Sequence, residues 1–292
     1  MPGSLVTPIE PSVAAQAACA AGRRAQHAVR TTAFSRIEVA VASSRGSHHV
    51  DNEDAHSDLD ASSGVFVVAD GVGGGAMAQL ASSQLVNALQ GALEGRRIDA
   101  DAVRAAMLDA DRTIQRAIAR QTDLPGAATV VLCAPVDAFA ARWLIGWVGD
   151  CRAYRLAATG GGRVDLLSRD DTFRALGEAP PPGSSPDDPA RMVGNGAIAG
   201  ANVALHDLAA GELLALCSDG VHKHLDADDW SGALRTDAPL PERCDGLIAA
   251  ARAHGSTDDA TVLLLRRAGF AMRRPHWIAR FGGRDADRGS SA

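Results

Sequence analysis

No apolar run in the 292-residue chain approaches the ~18 residues of a membrane-spanning helix, which excludes a helical integral membrane protein. A basic excess is also missing. The formal net charge is −6, whereas a protein built to coat nucleic acid carries a positive surface, so that class is excluded. Lysine is almost absent: Lys223 stands alone among 29 Lys and Arg residues, a bias that suggests a GC-rich bacterial genome. Cysteine is sparse, scattered and odd in number (Cys19, Cys133, Cys151, Cys217, Cys244), so free thiols in a reducing cytoplasm are expected. The first residues lack a charged start followed by a strong apolar stretch, so no secretory signal is read there and a cytoplasmic location is expected. What remains, 46% hydrophobic and 22% charged residues, is the composition of a folded globular chain.

Residues 1–33, rich in Ala, Pro, Ser and Arg without a sustained period, read as a poorly ordered leader. Ile37, Val39 and Val41 alternate with Glu38, Ala40 and Ala42, the pattern of a half-buried strand. A polar loop, 43–60, precedes the apolar strand 65–69, which Asp70-Gly71 closes. Met77, Leu80, Ala81, Leu85, Leu89 and Leu93 recur at helical spacing, as do Val103, Met107, Ala110, Ile114 and Ile118 over 100–121. Further strands are predicted at 129–136, 142–148, 152–156, 212–218 and 261–266, and a helix at 240–254. The Pro- and Gly-rich stretch 177–201 reads as a loop or flap. Residues 268–292 form a basic tail bearing Trp277 and Phe281. Short turns between most strands favour an antiparallel α+β domain over 34–267.

The acids fall at strand margins. Asp70, Asp150 and Asp219 end apolar strands, Asp258 precedes one, and Glu53 and Asp54 sit in the loop after the first strand. Strands of one core have clustered ends, and clustered carboxylates repel unless a cation joins them. An all-oxygen set suits Mg²⁺ or Mn²⁺ better than Zn²⁺. His48, His49 and His56 fit no common zinc spacing, and His222 and His224 read as solvated loop residues.

These segments resemble, in order, the motifs of the metal-dependent serine/threonine protein phosphatases of the protein phosphatase 2C type. The matching stretches are Gly46…Asn52-Glu53-Asp54-Ala55, Val67 to Gly74, Val148 to Tyr154, Leu216 to Val221, and Asp258 to Val262. The resemblance implies a four-layer α-β-β-α sandwich with two central antiparallel sheets and two Mn²⁺ or Mg²⁺ ions at one edge. Asp70 would bridge both ions, with Asp219 and Asp258 completing the first site and Glu53 and the Gly71 carbonyl serving the second. Asp54 would hold metal-bound water, and Asp150 with Asp219 would hold a third, weaker ion. The implied reaction is hydrolysis of phosphoserine and phosphothreonine in proteins by a water or hydroxide bridging two ions. A serine/threonine kinase or its target would be the natural partner, and a monomer is the default.

The chain departs from that pattern at several positions. His49 stands where the family places a phosphate-gripping arginine, with Arg45 a candidate substitute four residues away. Val72 replaces a histidine present in some members, Cys151 a serine, and Asp259 the asparagine after the metal aspartate. His49 keeps open a catalytically inactive binding or signalling module, and the substrate class leaves room for a small phosphorylated metabolite.

Overall fold

The structure is a computed structural model that describes residues 25–269 apart from 62, 124, 158–161, 197 and 199. Two antiparallel sheets lie face to face. One has the strand order β1 (Gln26–Thr31), β2 (Ser35–Ser44), β11 (Ala260–Gly269), β10 (Leu213–Cys217), β7 (Arg152–Ala157) and β8 (Arg163–Leu166). The other runs β3 (Asp54–His56), β4 (Phe66–Val72), β5 (Ala127–Pro135), β6 (Arg142–Val148) and β9 (Asn202–Asp207).

Strand periodicity assigns each side chain to a layer. Val39 and Val41 on β2, Leu263 and Leu265 on β11, Phe66 and Val68 on β4, and Val131 and Cys133 on β5 fill the space between the sheets. Their alternate neighbours point outward. Val67, Ala69, Val130 and Leu132 pack under α1 (Ala76–Leu93) and α2 (Ala100–Ala119). Ala40, Ala42, Val262 and Leu264 pack under the helices α5 (Ala227–Arg235) and α6 (Leu240–Ala253). Both faces of the interior strands are therefore buried, giving the four-layer arrangement. This corrects the expectation for 37–42: Ala40 and Ala42 are fully buried, because a helical layer covers the face that the alternation assigned to solvent.

The helices follow from their sequences. On α2, Asp99 caps the first turn by accepting the Ala102 N–H at 2.9 Å, and Val103, Met107, Ala110, Ile114 and Ile118 form its buried face. Asp226 and Asp229 close a reciprocal capping box on α5.

Part of the segment 1–33, expected as a poorly ordered leader, is regular structure. Gln26–Thr31 is a strand that pairs residue for residue with Arg36–Val41, held by backbone hydrogen bonds that need no apolar pattern. Residues 1–24 and the tail residues 270–292, with Trp277 and Phe281, lie outside the described residues. The stretch 177–201 is irregular, and it is pinned to the body. Val193 and Ala128 exchange backbone hydrogen bonds at 2.9 Å, and buried Asp111 on α2 accepts the N–H groups of Gly194 and Gly196. Among the described residues, no helix is long and apolar enough to cross a membrane.

Candidate active site

The sheet topology brings acids from distant parts of the chain to one edge of the sandwich. Asp54 on β3 lies directly opposite Asp70 on β4, so their side chains share a face. Asp150 follows β6 in the same sheet. From the other sheet, β10 ends at Cys217, and Asp219 opens the single turn α4 (Asp219–His222). Asp258 and Asp259 lead into β11 beside it. Asp219 is the strongest of the charges acting on Asp70, which sets the two carboxyls close together where the sheets meet.

The electrostatics record this crowding. Burial, then the charges of Asp219, Asp54 and Asp150, push Asp70 well above the ordinary carboxylate range. Burial pushes Asp54 up to about 8, against hydrogen bonds from Thr261 and Ser218; the Ser218 hydroxyl donates to Asp54 Oδ2 at 2.7 Å. Burial and Asp219 raise Asp150 to about 6. Burial would raise Asp219 too, but the Lys223 ammonium 2.6 Å away holds it below the usual range. Asp258, half exposed, is raised by partial burial and by the charge of Asp219.

Glu53 is oriented differently. Its Oε1 accepts the Gly75 N–H at 2.5 Å, at the turn leading into α1, while its backbone carbonyl takes the Gly71 N–H at 3.2 Å and the Ser82 hydroxyl at 2.6 Å. Gly71 is required by this close approach, because a Cβ there would meet the backbone oxygens of Ala78 and of Glu53, the latter at 2.8 Å.

His49 turns its Nδ1 to Asp259 Oδ2 at 2.9 Å, and that hydrogen bond raises the imidazole's basicity. Asp259 is buried and also accepts the N–H groups of Gly46 (2.6 Å) and Glu53 (2.7 Å). The ligand atoms of His49, Asp258 and Asp259 lie within 4.8 Å of one another. With both Asp259 oxygens already engaged, this triad is a structural clasp. Arg45 directs its Nη1 to the backbone carbonyls of His49 and Val50.

One reading of the sequence changes here, and three contacts appear that it does not contain. His222 is buried, not solvated, and its Nε2 sits 2.9 Å from the Asp150 carbonyl; burial holds its pKa down at about 4. Arg152 pairs with Asp170 at 2.7 Å and not with Asp150. Asp259 faces the interior, where it organises the 46–53 loop. Lys223, whose four-residue spacing from Asp219 is the signal that would have revealed it, reaches both Asp219 and Asp150.

The oxygen-rich cluster fits hard divalent cations. Asp54 Oδ1 is buried without a hydrogen-bond partner, and the charges of Asp219, Asp54 and Asp150 converge on buried Asp70, a crowding that a cation would relieve.

The sequence profile of the family described as Stage II sporulation protein E (SpoIIE) matches residues 61–268. The chain belongs to the SpoIIE family. It is therefore a PPM-type phosphatase, a phosphoric monoester hydrolase, with the α+β fold of that class. No characterised protein matches this SpoIIE-family chain by sequence. Among solved structures it is similar to PppA, a key regulatory component of T6SS in Pseudomonas aeruginosa. That match has 26% identity and a TM-score of 0.65, and covers 84% of this chain and 100% of PppA. The Mycobacterium tuberculosis serine/threonine phosphatase PstP/Ppp shares the fold at 23% identity and TM-score 0.66, covering 79% of this chain and 98% of PstP/Ppp. The catalytic domain of the serine threonine protein phosphatase PstP in complex with 2 manganese ions gives 23% and 0.67, covering 80% and 99%.

Proposed function

We propose that the chain removes phosphate from phosphoserine and phosphothreonine in proteins, using two Mn²⁺ or Mg²⁺ ions. The observation that carries this reading is the meeting of Asp70 and Asp219 from opposite sheets, with Asp54 and Asp150 beside them. Asp219, Asp258 and Asp70 would hold one ion. Asp70, Glu53 and the Gly71 carbonyl would hold the other. Bound ions would supply an activated water nucleophile and neutralise the charge on the phosphoryl oxygens.

The chain's own residues supply the rest. Asp54, aligned with Asp70 and held by Ser218, would accept a proton from or orient a water at the cluster. His49, anchored by Asp259, would present its other ring nitrogen to a phosphate oxygen. No side-chain nucleophile is needed, in keeping with the burial of Cys151 and Cys217, whose thiols burial pushes far up. A serine/threonine kinase or its target, in the cytoplasm, would be the partner.

The test is turnover of p-nitrophenyl phosphate and of phosphoserine and phosphothreonine peptides with Mn²⁺. Activity should vanish with EDTA and in Asp70→Asn and Asp219→Asn. Robust turnover by either variant, or none by the wild type on any phosphopeptide, would overturn the assignment.

A further inference from the structure

The pair expected to hold a third ion, Asp150 and Asp219, already has a cation between its carboxylates. Lys223 Nζ lies 2.6 Å from Asp219 Oδ2 and 3.2 Å from Asp150 Oδ2. A divalent ion placed between the same two oxygens would lie against the ammonium and be repelled by it; although the Lys223 side chain is 43% exposed, the Asp150 carboxylate that both cations would need is buried. The residues here therefore do not fit a third metal while Lys223 keeps its place.

That place is fixed from several directions. Lys223 lies one turn after Asp219, its backbone N–H donates to the Asp219 carbonyl at 3.0 Å, and its side chain returns over that turn. The neighbouring His222 ring binds the Asp150 backbone carbonyl, which draws the loop after β6 against α4. Asp150 Oδ2 is buried without a hydrogen-bond partner and is met by Lys223 as an ion pair, so without the ammonium that oxygen would be uncompensated. The residue type is apt as well. An ammonium is a compact point charge that can sit between two carboxylates, whereas a guanidinium is a flat fork, and this position holds the one lysine of an otherwise arginine-based chain.

We propose that Lys223 is a positioning residue that serves as a tethered third cation: its ammonium takes the place of a third metal ion between Asp150 and Asp219. The chain thus carries two exchangeable ions and one fixed charge. The proposal rests on the two-ion reading above, and the following measurement separates the two.

Bound Mn²⁺ per chain is counted by equilibrium dialysis at saturating Mn²⁺, with elemental quantification, for the full-length wild type, Lys223→Met and Lys223→Met/Asp150→Asn. The wild type should hold two ions, Lys223→Met three, and the double variant two again. Three ions in the wild type would show that Lys223 yields its place, and an unchanged count in Lys223→Met would show that the ammonium excludes nothing; either result overturns the proposal. A wild-type count below two would count against the two-ion reading, while the gain of one ion in Lys223→Met would still decide the role of Lys223. Lys223→Gln, read in the same way, guards against misfolding of the Met variant.

Discussion

Asp259 holds the ring of His49 with the same carboxylate that fastens the backbone of Gly46 and Glu53, at 2.9, 2.6 and 2.7 Å respectively. These are two of the positions at which the sequence departs from the phosphatase pattern, and they depart together. A carboxylate at 259 gives the imidazole a partner that favours its charged form, so the histidine regains part of the charge that an arginine would bring. The same contact aims the ring and shapes the loop carrying Glu53.

Replacing His49 by Ala should therefore raise KM for a phosphopeptide ~10-fold, about 1.4 kcal/mol of lost binding, with kcat little changed. His49→Arg should lower KM. Steady-state kinetics on one phosphopeptide series checks both, and an unchanged KM in His49→Ala would assign phosphate binding elsewhere. Asp259→Ala should cost more than His49→Ala, because it also frees two backbone N–H groups.

Asp70→Asn should be inactive yet melt no lower than the wild type in EDTA. The substitution removes a carboxyl whose ionised form is opposed by burial and by Asp219, Asp54 and Asp150. Mn²⁺ should raise the melting temperature of the wild type more than that of the variant, because an ion that binds only the folded state stabilises it by mass action. Scanning calorimetry with and without Mn²⁺ reads both effects.

Gly71→Ala should destabilise the fold by roughly 2–4 kcal/mol, the scale of a forced backbone displacement. Its Cβ would press on the main-chain oxygens of Glu53 and Ala78, neither of which is a flexible side-chain end. Urea denaturation checks this, and Gly91→Ala, where a Cβ meets nothing within 4 Å, is the control.

Glu38 ties β2 to β11 through Arg266 at 2.7 Å and reaches His27 on β1 at 3.2 Å. Although burial opposes it, these cations hold the Glu38 pKa below its ordinary value. A lowered folded-state pKa contributes stability that is present above the unfolded value and lost as pH falls through the folded one. Glu38→Gln should thus cost about 0.5–1 kcal/mol at neutral pH, and the difference should close on acidification below the ordinary glutamate pKa. Paired denaturation curves across acidic and neutral pH would show whether it does.

Iodoacetamide should leave activity untouched in the folded protein. Cys133, Cys151, Cys217 and Cys244, the cysteines among the described residues, are buried, and burial raises their thiol pKa values, so these four carry little reactive thiolate.

The strands legible in the sequence are the interior ones: β2, β4, β5, β6, β7, β10 and β11 all carry apolar runs. The strands that escaped, β1, β3, β8 and β9, are the four sheet edges. An edge strand such as QHAVRT or NVALHD has less to bury, and its pairing rests on backbone hydrogen bonds that side chains do not announce. Asp70, Asp150 and Asp219 were legible because each ends an apolar strand, whereas Glu53 and Asp54 stood out through the resemblance of their loop to a phosphatase motif. His222 was not legible, because a polar residue after Asp-Gly looks the same whether it faces solvent or turns back onto the cluster; for Lys223 the i,i+4 spacing from Asp219 was the available signal. The inward orientation of Asp259 depends on the 46–53 loop, more than 200 residues away in sequence, and spacing carries no information about that contact.

Asp70 lies on a strand of one sheet and Asp219 on the turn that follows a strand of the other, so the acid cluster exists only while the two halves of the sandwich are seated on each other. An ion lodged there would act as a rivet through the seam. Metal affinity then becomes a gauge of how well the sheets mate, and a substitution deep between them, at Val68 or Leu263, would be felt as a looser grip on the ion before any catalytic atom had been touched.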